Sequence, residues 1–258
     1  MQGDTIVVEE FGEAERFLVD GTHVGVDRLD PSAFRATLGP DHFSEYSLPL
    51  AGGSRLFFVS RRGLGEAPFG SLYRPSLLCM RWDPATGRVD TLAQHGGIEQ
   101  VTYDRGGRHG SAAAIFARRS AAAVARPDGR IALGNAERAE VEVHAPDSRT
   151  TLVRWPDDRP PLSGADIAAE RQRLLDWIET IPAPQRPDRR RDVQELPDPE
   201  TLPTHGPLIF DDEGRLWVQR VPLPSDSLAA WRVFDLDGRW LTTAALPKDA
   251  RVLAIKPP

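Results

Sequence analysis

From Pro207 to Leu246 the chain alternates short runs of strand-forming residues with tight polar turns: PLIFDDEGRLWVQR, a short loop, then AAWRVFDLDGRWLTTAAL. Turns at Asp212-Glu213-Gly214 and Leu236-Asp237-Gly238 separate the runs, so the pattern predicts a four-stranded antiparallel meander. The same order of runs recurs upstream. Ala121 to Arg126, Arg130 to Gly134, Glu140 to His144 and Thr150 to Trp155 are joined by Pro127-Asp128-Gly129 and Asp147-Ser148. Glu45 to Leu50, Arg55 to Arg61, Leu77 to Trp82 and Arg88 to Gln94 form another unit, with a Gly- and Pro-containing loop from Gly63 to Pro75 in its middle. Asp4 to Phe11, Glu15 to Val19 and Val24 to Leu29 give three strands of a further unit, with Asp20-Gly21 at a hairpin turn. The predicted units span about 1–30, 45–95, 120–156 and 206–247, and a terminal strand is expected over 250–256.

Helical periodicity is strong in one place. Ser163 and Asp166 form a capping-box pattern, and Ile167, Leu174, Leu175 and Ile178 fall on one face, which predicts a helical insertion over 163–181. Pro182 and Pro184 end it. The Pro-rich, charged stretch to about Thr204 reads as an extended, mobile connection, and its basic run Arg186 to Arg191 as a solvated loop. Gly96 to Gly110 reads as a polar connection with a short edge strand at Glu99 to Tyr103.

The turns align from unit to unit. Gly53, Gly129 and Gly214 close first hairpins, and Gly21, Gly87, Ser148 and Gly238 close second hairpins. Repeated four-stranded meanders with periodic Gly and aromatic residues indicate an all-β chain built as a β-propeller of four-stranded antiparallel blades. One small twisted sheet cannot cover both of its faces; set side by side around an axis, each sheet covers its neighbour's. A β-sandwich is the competing architecture, and the meander repeat without Greek-key crossovers favours the propeller. About four blades are accounted for, all within a single propeller domain over 1–258. Either the terminal strand completes the opening blade in a four-bladed ring, or the chain is part of a larger, incomplete ring.

The runs DDEGRLWVQR and WRVFDLDGRWLTTAALP, with LVRWPDDRPPLSGADI leading into the helix, resemble the bacterial six-bladed β-propeller proteins related to the NHL-repeat group. The resemblance extends from about Ala121 to the end and rests on architectural residues. It implies a six-bladed ring, of which this chain would be a partial one, in proteins often exported or lipid-anchored and mostly without assigned activity.

Composition adds exclusions. A net charge of −6 over 258 residues gives no support for nucleic-acid binding. No apolar run is long enough to span a bilayer, and no signal peptide is visible. The single cysteine, Cys79, sits in an apolar strand and reads as a small buried hydrophobe. Trp82, Trp155, Trp217, Trp231 and Trp240 recur at strand positions, which argues for packing between blades; Trp177, on the helix, is the exception. No histidine pair has metal-ligand spacing, but His95, His109 and His205 lie in or beside the same class of inter-blade connection. These three and Trp177 are the candidate ligand-binding residues; no catalytic residue, metal ligand or cofactor is assigned. His144 reads as structural, and Asp211, Asp212 and Glu213 as turn residues. The expected function is non-enzymatic binding or scaffolding, with an unknown protein or small molecule, on the loop-bearing face. The alternative is a metal-dependent, lactonase-like hydrolase or lyase. That class needs acidic and amide ligands from inner strands, and Ala121 to Arg126 and Leu208 to Phe210 are apolar.

Overall fold

The computed structural model describes residues 5–10, 13–18, 22–28, 42–50, 54–61, 68–83, 86–125, 128–248, 250, 252 and 255. The chain divides into two compact units, Met1–His42 and Phe43–Pro258. In the first, β1 (Thr5–Glu10), β2 (Glu13–Leu18) and β3 (His23–Arg28) form an antiparallel three-stranded meander. The expected Asp20-Gly21 turn lies outside the described residues.

The second unit contains three four-stranded antiparallel sheets, each a meander. The first blade orders β4 (His42–Pro49), β5 (Arg55–Arg61), β7 (Ser76–Asp83) and β8 (Arg88–Gly96); its middle loop carries the two-residue β6 (Leu72–Tyr73). The second is β11 (Ala121–Val124), β12 (Ile131–Gly134), β13 (Glu140–His144) and β14 (Thr150–Arg154). The third is β15 (Leu208–Phe210), β16 (Leu216–Gln219), β17 (Leu228–Phe234) and β18 (Trp240–Pro247).

Strand alternation explains how the blades stack. Side chains one residue apart point to opposite faces of a sheet. In β12, Ile131 and Leu133 join Leu56, Phe58, Leu77 and Cys79 of the first blade in one core cluster. Ala132, with Val141, Val143 and Val153, joins Leu208, Leu216, Val218 and Phe234 of the third blade in another. The middle blade therefore buries both faces. The first blade also buries Phe57, Val59 and Met80 on its other face, and the third buries Ala229, Trp231 and Val233 on its other face. A two-layer sandwich leaves one face of each sheet in solvent. The first strands β11 and β15 run close together. These features define propeller-type blades. Burial pushes the Cys79 thiol up to about 12, which leaves it protonated and inert.

The turns explain why the text repeats. Around Asp211, Asp235 and Ala145 the geometry is the same: the first residue's N–H donates to the carbonyl four residues on, and its carbonyl accepts the N–H three residues on. The third loop residue is left-handed: Gly214 and Gly238 at φ +79°, and Ser148 at +69° in glycine's place. Asp237 does not share a positive φ. The loop is thus a turn ending in a bulge residue, and only one position requires glycine. The Asp211 carboxylate, read as turn chemistry, accepts from the Glu213 and Arg215 N–H groups, from Arg215 Nε at 2.7 Å and from Trp217 Nε1 at 2.8 Å.

Several expectations are corrected. The short strand expected at Glu99 to Tyr103 is present as β9 (Gln100–Arg105), but it is not alone: β9 and β10 (Arg108–Ala113) form a hairpin, and β9 also pairs with β6. The helix α1 (Gly164–Ile178) has its Ser163–Asp166 capping box. The stretch beyond it is not extended: a 3₁₀ turn (Ala183–Gln185) leads into α2 (Arg186–Glu195). Pro187 sits in the first turn, where its missing N–H costs nothing. Arginine is a good helix former, and the run is solvated as expected but helical rather than a loop: Arg190 Nε donates to Glu179 at 3.1 Å and Arg186 Nε to the Ile181 carbonyl at 2.9 Å. Trp240 is exposed rather than packed between blades, whereas Trp155 packs on Phe234 at 5.9 Å. The terminal strand falls mostly outside the described residues; the Asp212 N–H donates to the Ile255 carbonyl.

Candidate functional site: two clefts on the inserted elements

The hairpin and helices form one inserted module. Val101, Ile115 and Leu196 make its small core, with Ile167 and Leu174 of α1 packed against it. Arg171 fastens α1 to the end of α2 through the Leu196 carbonyl at 3.0 Å and Asp198 at 2.7 Å. Arg74 clasps loops of the first two blades: it donates to the carbonyls of Gly96, Gly97 and Asn135 and to Glu137, at 2.7 to 2.9 Å.

The first cleft, about 340 Å³, lies between α1, the linker after β10 and the entries to β11 and β15. Phe116, Ala117, Ala121, Leu174, Pro203 and Val221 make its walls mostly apolar. Phe116 holds φ +48°, a costly conformation for a residue with a Cβ. The polar groups are Arg119, Glu170, Arg173, Ser120 and His205. Arg173 forks onto Glu170 at 2.7 and 2.6 Å, and that pairing raises its pKa. Ser120 donates to the Gly96 carbonyl at 2.8 Å. Arg119 is exposed and has no hydrogen-bond or ion-pair partner among the described residues.

His205 forms part of the wall and is 2 % exposed. Its Nδ1–H donates to the Gly206 carbonyl at 2.8 Å, and Nε2 accepts the Ala136 N–H at 3.1 Å. The neutral ring with its proton on Nδ1 satisfies both bonds, and burial lowers its pKa. A Cβ at Gly134 would come within 2.5 Å of Nε2, so glycine there makes room for the ring.

The second cleft, about 530 Å³, lies between the hairpin and α2. Tyr103, Arg105, His109, Arg189 and Asp192 are among its lining residues. Asp192 is buried, which raises its pKa, while Arg105 at 2.8 Å and Arg189 at 3.6 Å act against the rise. His109 stacks on Phe69 with ring centroids 5.1 Å apart.

The histidines singled out in the sequence are thus distributed. His205 is in the first cleft. His95 stands on β8 with Nδ1 buried and without a hydrogen-bond partner; burial lowers its pKa, and its charge acts on His205. His109 is in the second cleft, and Trp177 is exposed on α1, lining neither. His144 contacts Glu142 at 3.2 Å and Thr150 at 3.3 Å. Among the described residues no group of three His, Cys, Asp or Glu side chains is gathered to hold a metal. Among them, too, no helix is long and apolar enough to cross a membrane. Sequence reasoning missed Arg119, Glu170 and Arg173. The last two were findable, since acid and base three apart on a capped helix meet on its surface.

No protein-family model matches the chain, and no curated protein matches it. Solved structures do. A luciferin-regenerating enzyme matches at 12 % identity and TM-score 0.37, covering 96 % of this chain and 60 % of its own. The calcium-binding protein regucalcin of Agrobacterium tumefaciens matches at 11 % and 0.24, covering 90 % and 66 %. A DUF4221 family member of Bacteroides vulgatus matches at 11 % and 0.33, covering 96 % and 82 %. The chain thus spans less than two thirds of the length of the first two.

Proposed function

We propose that this chain is a non-enzymatic binding protein that holds a small, largely apolar molecule in the cleft beneath α1. The observation that carries the reading is a cavity of about 340 Å³, apolar in its walls, with a few polar groups at its margin. That is the usual make-up of a small-molecule site. It lies on connections inserted between blades, where a rigid scaffold positions variable loops. His205 supports binding rather than proton transfer, because both of its nitrogens are occupied by the backbone. The same reading takes the ring as six-bladed and the protein as exported, supported by the resemblance of the segment from Ala121 onward.

The test is fluorescence titration with phenylnaphthylamine, an uncharged dye that brightens on leaving water. The native protein is expected to bind it, and Ala117→Trp, which fills the cleft, to lose at least tenfold in affinity at unchanged Tm. Absence of binding, or binding indifferent to Ala117→Trp, overturns the reading.

A further inference from the structure

Resting on that reading, we infer that the cleft beneath α1 selects ligands carrying an anionic group, with Arg119 as the residue that receives it. Two guanidinium groups stand at this cleft, and they are not equivalent. Arg173 is neutralised in place by its two-pronged pairing with Glu170. Arg119 has no such partner among the described residues. The three charges leave one uncompensated positive charge beside an apolar hollow, in a chain whose net charge is −6. Asp and Glu are otherwise missing from the cleft lining.

The geometry matches an amphiphile. The body of the ligand meets Phe116, Ala117 and Leu174, and its acidic end meets a planar cation that offers paired N–H donors. A carboxylate, sulfonate or phosphate would each satisfy that requirement. A neutral ligand of the same shape would leave the guanidinium unused. A cation would face it without compensation, because Glu170 already has its counter-ion. The second cleft differs in its walls rather than in its charge balance: Arg105, Arg189 and Arg191 share it with Asp188 and Asp192, and it offers little apolar surface for the body of such a ligand.

The experiment compares two dyes with one ring skeleton, anilinonaphthalene sulfonate and uncharged phenylnaphthylamine, titrated into the whole chain. The sulfonate is expected to bind roughly tenfold more tightly, as a charge-assisted hydrogen bond requires, with the preference shrinking in high salt. Arg119→Ala should abolish the preference, the sulfonate losing about tenfold more affinity than the neutral dye, and Arg119→Lys should retain part of it. Equal binding of both dyes, or a preference that survives Arg119→Ala, overturns the inference and leaves the cleft reading intact. Failure of both dyes to bind overturns the two together.

Discussion

The blades and the inserted module solve the same problem by different means. Each four-stranded blade of the second unit buries apolar side chains on both faces, and most of its contact with its neighbours is apolar. The module has a small core of Val101, Ile115 and Leu196, and is otherwise fastened by arginines that reach carbonyls and carboxylates: Arg105, Arg171, Arg186 and Arg190. Hydrophobic faces are non-directional and tolerate sequence drift. Arginine clasps are directional, salt-sensitive and individually replaceable. The first cleft lies where the second kind of structure sits on the first, and the other lies within the module.

The largest separation between the regions should come from core truncation. Phe58→Ala in the first blade, at a fully buried position, is expected to cost about 3–5 kcal/mol in urea unfolding. Arg105→Ala in the module removes the closest partner of buried Asp192 and is expected to cost about 2–3 kcal/mol. Its effect should appear as faster proteolysis between α1 and α2 before any global unfolding; simultaneous loss of the blades would erase the distinction.

What could be read from the sequence follows the same division. Strands such as β12 and β17 announce themselves, because alternation, β-branched or aromatic content and a fixed turn agree with one another. The hairpin did so only in its first strand, since Arg108 to Ala113 has little strand character; its Gly110 is required by the Tyr103 ring, which a Cβ would meet at 2.5 Å. The helix α2 did not. It buries little beyond Asp192 and Val193, so no apolar period marks it, and it lies in a stretch rich in proline and charge. The first cleft was half legible: His205 stood out, whereas Arg119 became visible only when α1 and the linker were brought together.

A smaller effect separates two copies of one turn. Asp211→Ala is expected to cost about 2–3 kcal/mol, because four donors lose a buried acceptor. Asp235→Ala, whose turn is exposed and which accepts only from the Asp237 and Arg239 N–H groups, is expected to cost about 1 kcal/mol. Burial raises the Asp211 pKa, but hydrogen bonds from Trp217 and Arg215 outweigh it and hold the carboxyl below its usual range. That contribution is complete above the unfolded value, near pH 3.9, and is lost as pH falls through the folded one.

The smallest effect is a pH slope. His205 and His95 have folded pKa values below the ordinary imidazole range, so the unfolded chain takes up protons first. Stability is expected to fall as pH drops below about 6.5, and to be flat from there to pH 8. His205→Asn should lower Tm at every pH and reduce the slope; an unchanged slope would remove His205 from the account.

The most direct measurement concerns the middle blade. Ala132 and Leu133 are adjacent in β12, point to opposite faces and are both fully buried. Urea unfolding of Ala132→Asp and Leu133→Asp is expected to show both severely destabilised, by more than about 3 kcal/mol each. If either aspartate is tolerated within about 0.5 kcal/mol, one face of that sheet meets water, and blades packed side by side do not describe this protein.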